Sequence, residues 1–77
     1  MKEYIIYTKD NCHYCDKAKN LLNLKGAAFT DINITKKPEA LKEMLEKSKG
    51  KKTFPQIFKE GLHIGGCDDL HAHFGIK

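Results

Sequence analysis

Two cysteines three positions apart, in Cys12-His13-Tyr14-Cys15, are the residues of this chain best placed to do chemistry. They follow the apolar, strand-like run Tyr4-Ile5-Ile6-Tyr7 and precede a helix-like segment, Asp16 to Leu22. That order puts the first sulfur at a helix N-terminus, where unpaired backbone N–H groups and the helix dipole favour an anion. The thiolate is the reactive form of cysteine, so a sulfur held there becomes a nucleophile. The second cysteine, one turn on, can reach the same sulfur. A C-x-x-C beside a βαβ pattern in a reducing compartment reads as a thiol–disulfide exchange site.

The elements that must hold this pair can be read in order. Glu3 to Thr8 is apolar on both faces at its centre, as a buried parallel strand would be. A helix from about Cys12 to Lys25 follows, with Cys15, Ala18, Leu21 and Leu22 as its apolar stripe and Gly26 as its stop. Ala27 to Asn33 reads as a second strand. Pro38 suits the first turn of a helix carrying Leu41, Met44 and Leu45, with Gly50 marking its end. Thr53 to Lys59 reads as a third strand interrupted by Pro55, and Glu60-Gly61 turns it into Leu62-His63-Ile64. Gly65-Gly66 ends that strand, and Asp68 is expected to N-cap a last helix, Asp69 to Phe74. The result is one domain, residues 1–77, of α/β class: β-α-β-α-β-β-α, a four-stranded mixed sheet flanked by three helices. Ligands of such sheets sit beyond the carboxyl ends of the strands. Thr53-Phe54-Pro55 and Gly65-Gly66-Cys67-Asp68 must therefore come close to the cysteine pair.

Composition narrows the function classes. Seventy-seven residues allow a small core, and three cysteines are too few and too odd in number for a disulfide scaffold. No apolar run approaches the roughly 20 residues of a membrane span, and no apolar leader region opens the chain. The expectation is a cytoplasmic protein without membrane contact. The formal charge of +4 comes from lysines without a single arginine. Those lysines are spread along the chain and lack an aromatic–basic stripe, which argues against nucleic-acid binding. They suit a solvated surface, with some attraction for anionic molecules.

Along essentially its whole length the chain resembles the glutaredoxins, small dithiol oxidoreductases of the thioredoxin fold. The resemblance is carried by Tyr7-Thr8-Lys9, Cys12-x-Tyr14-Cys15 with Ala18-Lys19, Thr53-Phe54-Pro55-Gln56-Ile57-Phe58 and Ile64-Gly65-Gly66-Cys67-Asp68-Asp69-Leu70. It implies glutathione as reducing co-substrate, with no bound cofactor, and reduction of protein disulfides and glutathione mixed disulfides. Cys12 would attack, its pKa held below about 7 by the helix terminus and Lys9, and Cys15 would resolve. A cis Phe54–Pro55 bond would offer the backbone of Phe54 to glutathione like an added strand. Thr53 and Tyr14 would line the groove. Gly66 would let the backbone approach the ligand, the N–H groups of Cys67 and Asp68 would hold the γ-glutamyl carboxylate, the Asp68 side chain the ammonium, and Lys9 with Lys36 or Lys37 the glycyl carboxylate. The implied protein is a monomer, with ribonucleotide reductase as a plausible client.

One position departs from the family pattern, which has proline where this chain has His13. A protonated ring beside the nucleophile should favour the thiolate and make the disulfide more oxidising, although the ring is mostly neutral at pH 7. Other readings weigh less. A redoxin fed by a thioredoxin-reductase-type flavoenzyme would not need the Gly-Gly-Cys-Asp-Asp segment. A zinc site from Cys12, Cys15, Cys67 and the histidines 13, 63, 71 and 73 has only one C-x-x-C knuckle. An iron–sulfur carrier using Cys12 with glutathione lies nearer the family.

Overall fold

Strand β1 (Tyr4–Thr8) is the axis of the molecule, which we describe from a computed structural model over residues 3–75. It pairs in parallel with β2 (Phe29–Asn33) and antiparallel with β3 (Gln56–Lys59), which pairs antiparallel with β4 (Leu62–Gly65). The sheet order is β2-β1-β3-β4. Helices α1 (His13–Leu24), α2 (Ala40–Lys47) and α3 (Cys67–His73) complete the expected order.

The two-residue period of a strand explains why β1 is apolar throughout. Tyr4 and Ile6 face one side and join Leu21, Leu22, Ile57 and Leu70 in a core beneath α1 and α3. Tyr7 faces the other side and packs with Met44 of α2 and with Phe58. Ile6, Leu22, Ile57 and Leu70 are fully buried, each stabilising the fold by about 1.5–3 kcal/mol relative to an exposed side chain. The Tyr7 hydroxyl donates to Glu43 Oε2 at 2.6 Å, tying β1 to α2.

The helix ends show how local sequence sets boundaries. Gly26, at φ +66°, donates to the Asn23 carbonyl while Ala27 donates to Leu22, a closing pattern that ends α1 and delays β2 to Phe29. At α2 the same pattern falls one residue earlier than expected. Lys49 takes the left-handed position at φ +61°, and Gly50 follows it, donating to Leu45 at 2.7 Å. Pro38 lies in the turn before α2, its carbonyl accepting from Leu41. Strand β3 begins only at Gln56, because Pro55 has no N–H for the ladder. Helix α3 begins at Cys67, two residues before the expected Asp69, and its N-cap is Gly66 rather than Asp68. The reason is Asp69, whose carboxylate reaches back to the Gly66 N–H at 3.0 Å and does the capping from inside the first turn.

Candidate active site

Cys12 is the N-cap of α1, in extended conformation at φ −115° and ψ 102°. Its sulfur accepts the N–H of Cys15 at 3.2 Å, the hydrogen bond that serine or aspartate oxygens usually provide at this position. The cap acceptor is therefore the reactive atom itself. A backbone donor aimed at that sulfur favours the thiolate over the thiol. Cys12 and Cys15 are joined as a disulfide with Cα atoms 5.2 Å apart. Cys15 is buried at 1% exposure and Cys12 is half-buried. Only the first sulfur lies within reach of an incoming disulfide.

Two clefts open at the motif, one lined by Cys12 and the other by Tyr14. The larger, about 500 Å³, is polar and mixed in charge: Lys9, Lys19, Lys36 and Lys37 line it with Asp10, Asp16 and Asp31, beside Asn11, Cys12 and Asn33. The chain ties its two loops together. The Asp10 N–H donates to Thr35 Oγ1 at 3.0 Å, and Asn33 Nδ2 donates to Asp10 Oδ1 at 3.0 Å. Below them Thr8 Oγ1 donates to Asp31 Oδ1 at 2.6 Å, while Lys19 Nζ meets Asp31 Oδ2 at 3.1 Å. Lys19 is thus engaged by acid. The ion pairs among the described residues involve Lys19, Lys47 and Lys59, not Lys9, Lys36 or Lys37.

The smaller cleft, about 180 Å³, is walled by Tyr14, Phe54, Pro55, Gly66, Cys67 and Asp68. The Phe54–Pro55 peptide is cis. A Cβ on Gly66 would lie 3.5 Å from the Pro55 carbonyl oxygen, so two segments distant in sequence pack against each other here. Tyr14 is 56% exposed and stands over the cleft. Lys9 Nζ lies 5.5 Å from the Phe54 ring centroid, which links the two clefts across a single side chain. Of the residues expected from sequence to bind glutathione, Thr53 alone lines neither cleft. It is exposed, one residue before Phe54.

Asp68 and Cys67 part ways. Because Asp69 caps α3, the Asp68 side chain is left exposed in the first turn. Cys67 is buried, and burial pushes its thiol pKa up; Lys17 opposes the shift and Asp68 adds to it. His71 Nδ1 sits 2.8 Å from the Cys67 carbonyl oxygen and 3.7 Å from the sulfur. A carbonyl only accepts, so Nδ1 carries a hydrogen and cannot take a proton from the thiol. Cys67 is a packed thiol. Among the described residues no group of three or more His, Cys, Asp or Glu side chains is disposed to hold a metal ion. No helix among them is long and apolar enough to cross a membrane.

Sequence reasoning passed over Asp10, Asn33, Thr35 and the Thr8–Asp31–Lys19 set. Polar residues carry no mark of a partner twelve or more positions away. Gln56 appeared inside a motif without a role and His63 only in the zinc alternative; the alternation that puts Gln56 and Phe58 on one face of β3 was the available signal.

Comparison with known proteins agrees with this geometry. Residues 4–64 match the glutaredoxin family model. Glutaredoxin 3 of Escherichia coli K12 is 49% identical over 67 residues, covering 87% of this chain and 80% of that protein. The solution structure of glutaredoxin from Brucella melitensis superposes with a TM-score of 0.75 at 53% identity, over 94% of this chain and 77% of that one. A buckwheat glutaredoxin–glutathione complex superposes at 0.79 and 30% identity, over 95% and 70%. The architecture is the thioredoxin-like one of these neighbours. With a sulfur-capped helix over a parallel βαβ unit and these relatives, the chain belongs to the glutaredoxin family of thiol–disulfide oxidoreductases, and Cys12 and Cys15 are its redox-active pair.

Proposed function

We propose that this chain is a glutathione-dependent dithiol glutaredoxin, which reduces protein disulfides and glutathione mixed disulfides. The observation that carries the reading is the pair of unlike clefts at the motif, one lined by Cys12 with Lys9, Lys36 and Lys37 and the other by Tyr14 with Phe54, Gly66 and Asp68. Glutathione has a carboxylate at its glycyl end and an ammonium with a second carboxylate at its γ-glutamyl end. Lys9, Lys36 and Lys37 suit the first; Asp68 and the backbone at Gly66 and Cys67 suit the second. Phe54, beside cis Pro55, suits pairing with the peptide between them, and Tyr14 walls the groove. The solved buckwheat glutaredoxin–glutathione complex, a structural neighbour, supports the same reading.

In the proposed cycle the Cys12 thiolate attacks the glutathione sulfur of a mixed disulfide. The substrate leaves as a thiolate that takes a proton, and Cys12 carries glutathione. A second glutathione thiolate then attacks that glutathione sulfur, releasing glutathione disulfide and the reduced Cys12. For a protein disulfide, Cys12 forms a mixed disulfide with the substrate, and Cys15 attacks Cys12 to release the reduced protein. Two glutathiones then reduce the Cys12–Cys15 bond. The protein would work as a single domain, a monomer in the cytoplasm, where the glutathione pool is reducing; ribonucleotide reductase is a client of suitable chemistry.

A coupled assay with glutathione, glutathione reductase and a small glutathione mixed disulfide tests this. Turnover should depend on glutathione, vanish in Cys12→Ser and persist in Cys15→Ser. Reduction of a protein disulfide should be lost in both variants. Activity surviving the loss of Cys12 would overturn the mechanism.

A further inference from the structure

A line of side-chain hydrogen bonds runs from β4 toward the site without lining either cleft. Gln56 is buried, and its side-chain nitrogen lies 3.0 Å from the Thr53 carbonyl oxygen and 2.8 Å from Thr53 Oγ1. Its Oε1 lies 2.7 Å from His63 Nε2. The Thr53 carbonyl can only accept, so the NH₂ end of the amide must face it. Both amide hydrogens are then directed to Thr53, and Oε1 must accept from His63. His63 Nε2 therefore carries its hydrogen. At the other end Thr53 Oγ1 accepts from Gln56, which leaves its own hydrogen to be donated outward.

The ring that starts this line is held in place. His63 stacks on Phe58 with centroids 4.8 Å apart and planes 28° apart, across the ladder where the two residues pair. Phe58 is itself buried in the core against α2. Thr53 is exposed and directly precedes the Phe54–Pro55 segment.

We propose that His63, acting through Gln56, is a positioning residue that fixes the Thr53 hydroxyl as a hydrogen-bond donor to an acceptor oxygen, carbonyl or carboxylate, of the bound substrate. The inference rests on the glutathione reading above and deepens it. His63 touches no reacting atom. It decides which way a polar group beside the Phe54–Pro55 wall points, and the directed chain polarises the last hydroxyl toward stronger donation.

The test is a double-mutant cycle read in the glutathione-coupled assay. His63→Phe keeps the stack on Phe58 and removes the N–H; the KM for the glutathione mixed disulfide should rise about fivefold, with kcat unchanged, as expected for one hydrogen bond. Thr53→Val should give a similar rise, and the double variant no more than either alone. His63→Gln, which offers a side-chain N–H again, should recover most of the loss. An unchanged KM in His63→Phe, or additive effects in the double variant, would overturn the proposal. Nitrogen-15 NMR of the wild type adds a reading independent of glutathione. His63 in the Nε2–H form agrees with the relay; the Nδ1–H form refutes it. A wild type with no glutathione-dependent turnover would instead strike the proposed function, leaving the relay to be decided by the tautomer.

Discussion

The two helices that begin at the site, α1 and α3, are capped in opposite ways. At α1 the cap acceptor is the Cys12 sulfur, so the atom that completes the helix is the atom that reacts. At α3 the N-cap is Gly66, which has no side chain, and Asp69 reaches back to it from inside the helix. The first terminus spends its capping group on chemistry. The second draws its capping group from inside the helix, and Asp69 lines the cleft together with the backbone and an exposed Asp68. The contrast teaches that a helix start can carry reactivity or shape, depending on which residue supplies the cap.

Cys12→Ser is the sharpest way to break that contrast. Serine is a preferred N-cap, so stability measured under reducing conditions should stay within about 0.5 kcal/mol of wild type. Thiol–disulfide exchange should fall to background. A large loss of stability would mean that the sulfur holds the helix more than it serves the reaction.

At α3 the opposite is expected. Gly65 sits at φ +122°, and a Cβ there would collide with the Asp69 carboxylate. Gly65→Ala should cost about 1–3 kcal/mol in urea denaturation. The alkylation rate of the reduced Cys12 should hardly change. A matching fall in that rate would show the two termini to be mechanically coupled.

Tyr7, on the far face of the sheet, calibrates both. Burial, then the hydrogen bond and charge of Glu43, raise its pKa above the usual phenol value. A raised acid binds its proton more tightly in the fold, so its contribution is complete below about pH 10 and is lost as pH rises toward the folded value. Tyr7→Phe should cost about 1 kcal/mol at pH 7. It should also flatten the alkaline decline of stability between about pH 9 and 11. An unaltered decline would place its cause elsewhere.

The smallest effect belongs to His13, the first residue of α1, exposed and with its ring 6.0 Å from that of Tyr14. His13→Pro should lower the reduction potential of the pair by roughly 10–30 mV, a change of about 0.5–1.4 kcal/mol. A potential unchanged in His13→Pro would leave His13 without a tuning role.

Strong local signals were legible in the sequence. The two-faced apolar run of β1, the stripe Cys15, Ala18, Leu21 and Leu22, and Gly26 each act over a few residues, and each appears where it was read. The misplacements were at boundaries where near neighbours compete. Lys49 took the left-handed position expected to be marked by Gly50, and Asp69 displaced Asp68 from the capping role. In both cases two adjacent residues could close the same turn, and packing chose between them.

The sequence by itself determined the reactive pair and its place at a helix start, because three-residue spacing after a strand leaves few alternatives. It also determined the family, through motifs spread along the chain. Tertiary packing alone set a polar cleft bearing lysines and aspartates at Cys12 and a second one walled by Tyr14, Pro55 and Gly66. It alone decided that Asp10 clamps the loop of Lys36, and that His63 reaches Thr53 through Gln56. Those contacts join residues from different strands and loops. Their partners are set by sheet register and by how loops pack, which no local pattern of residues records.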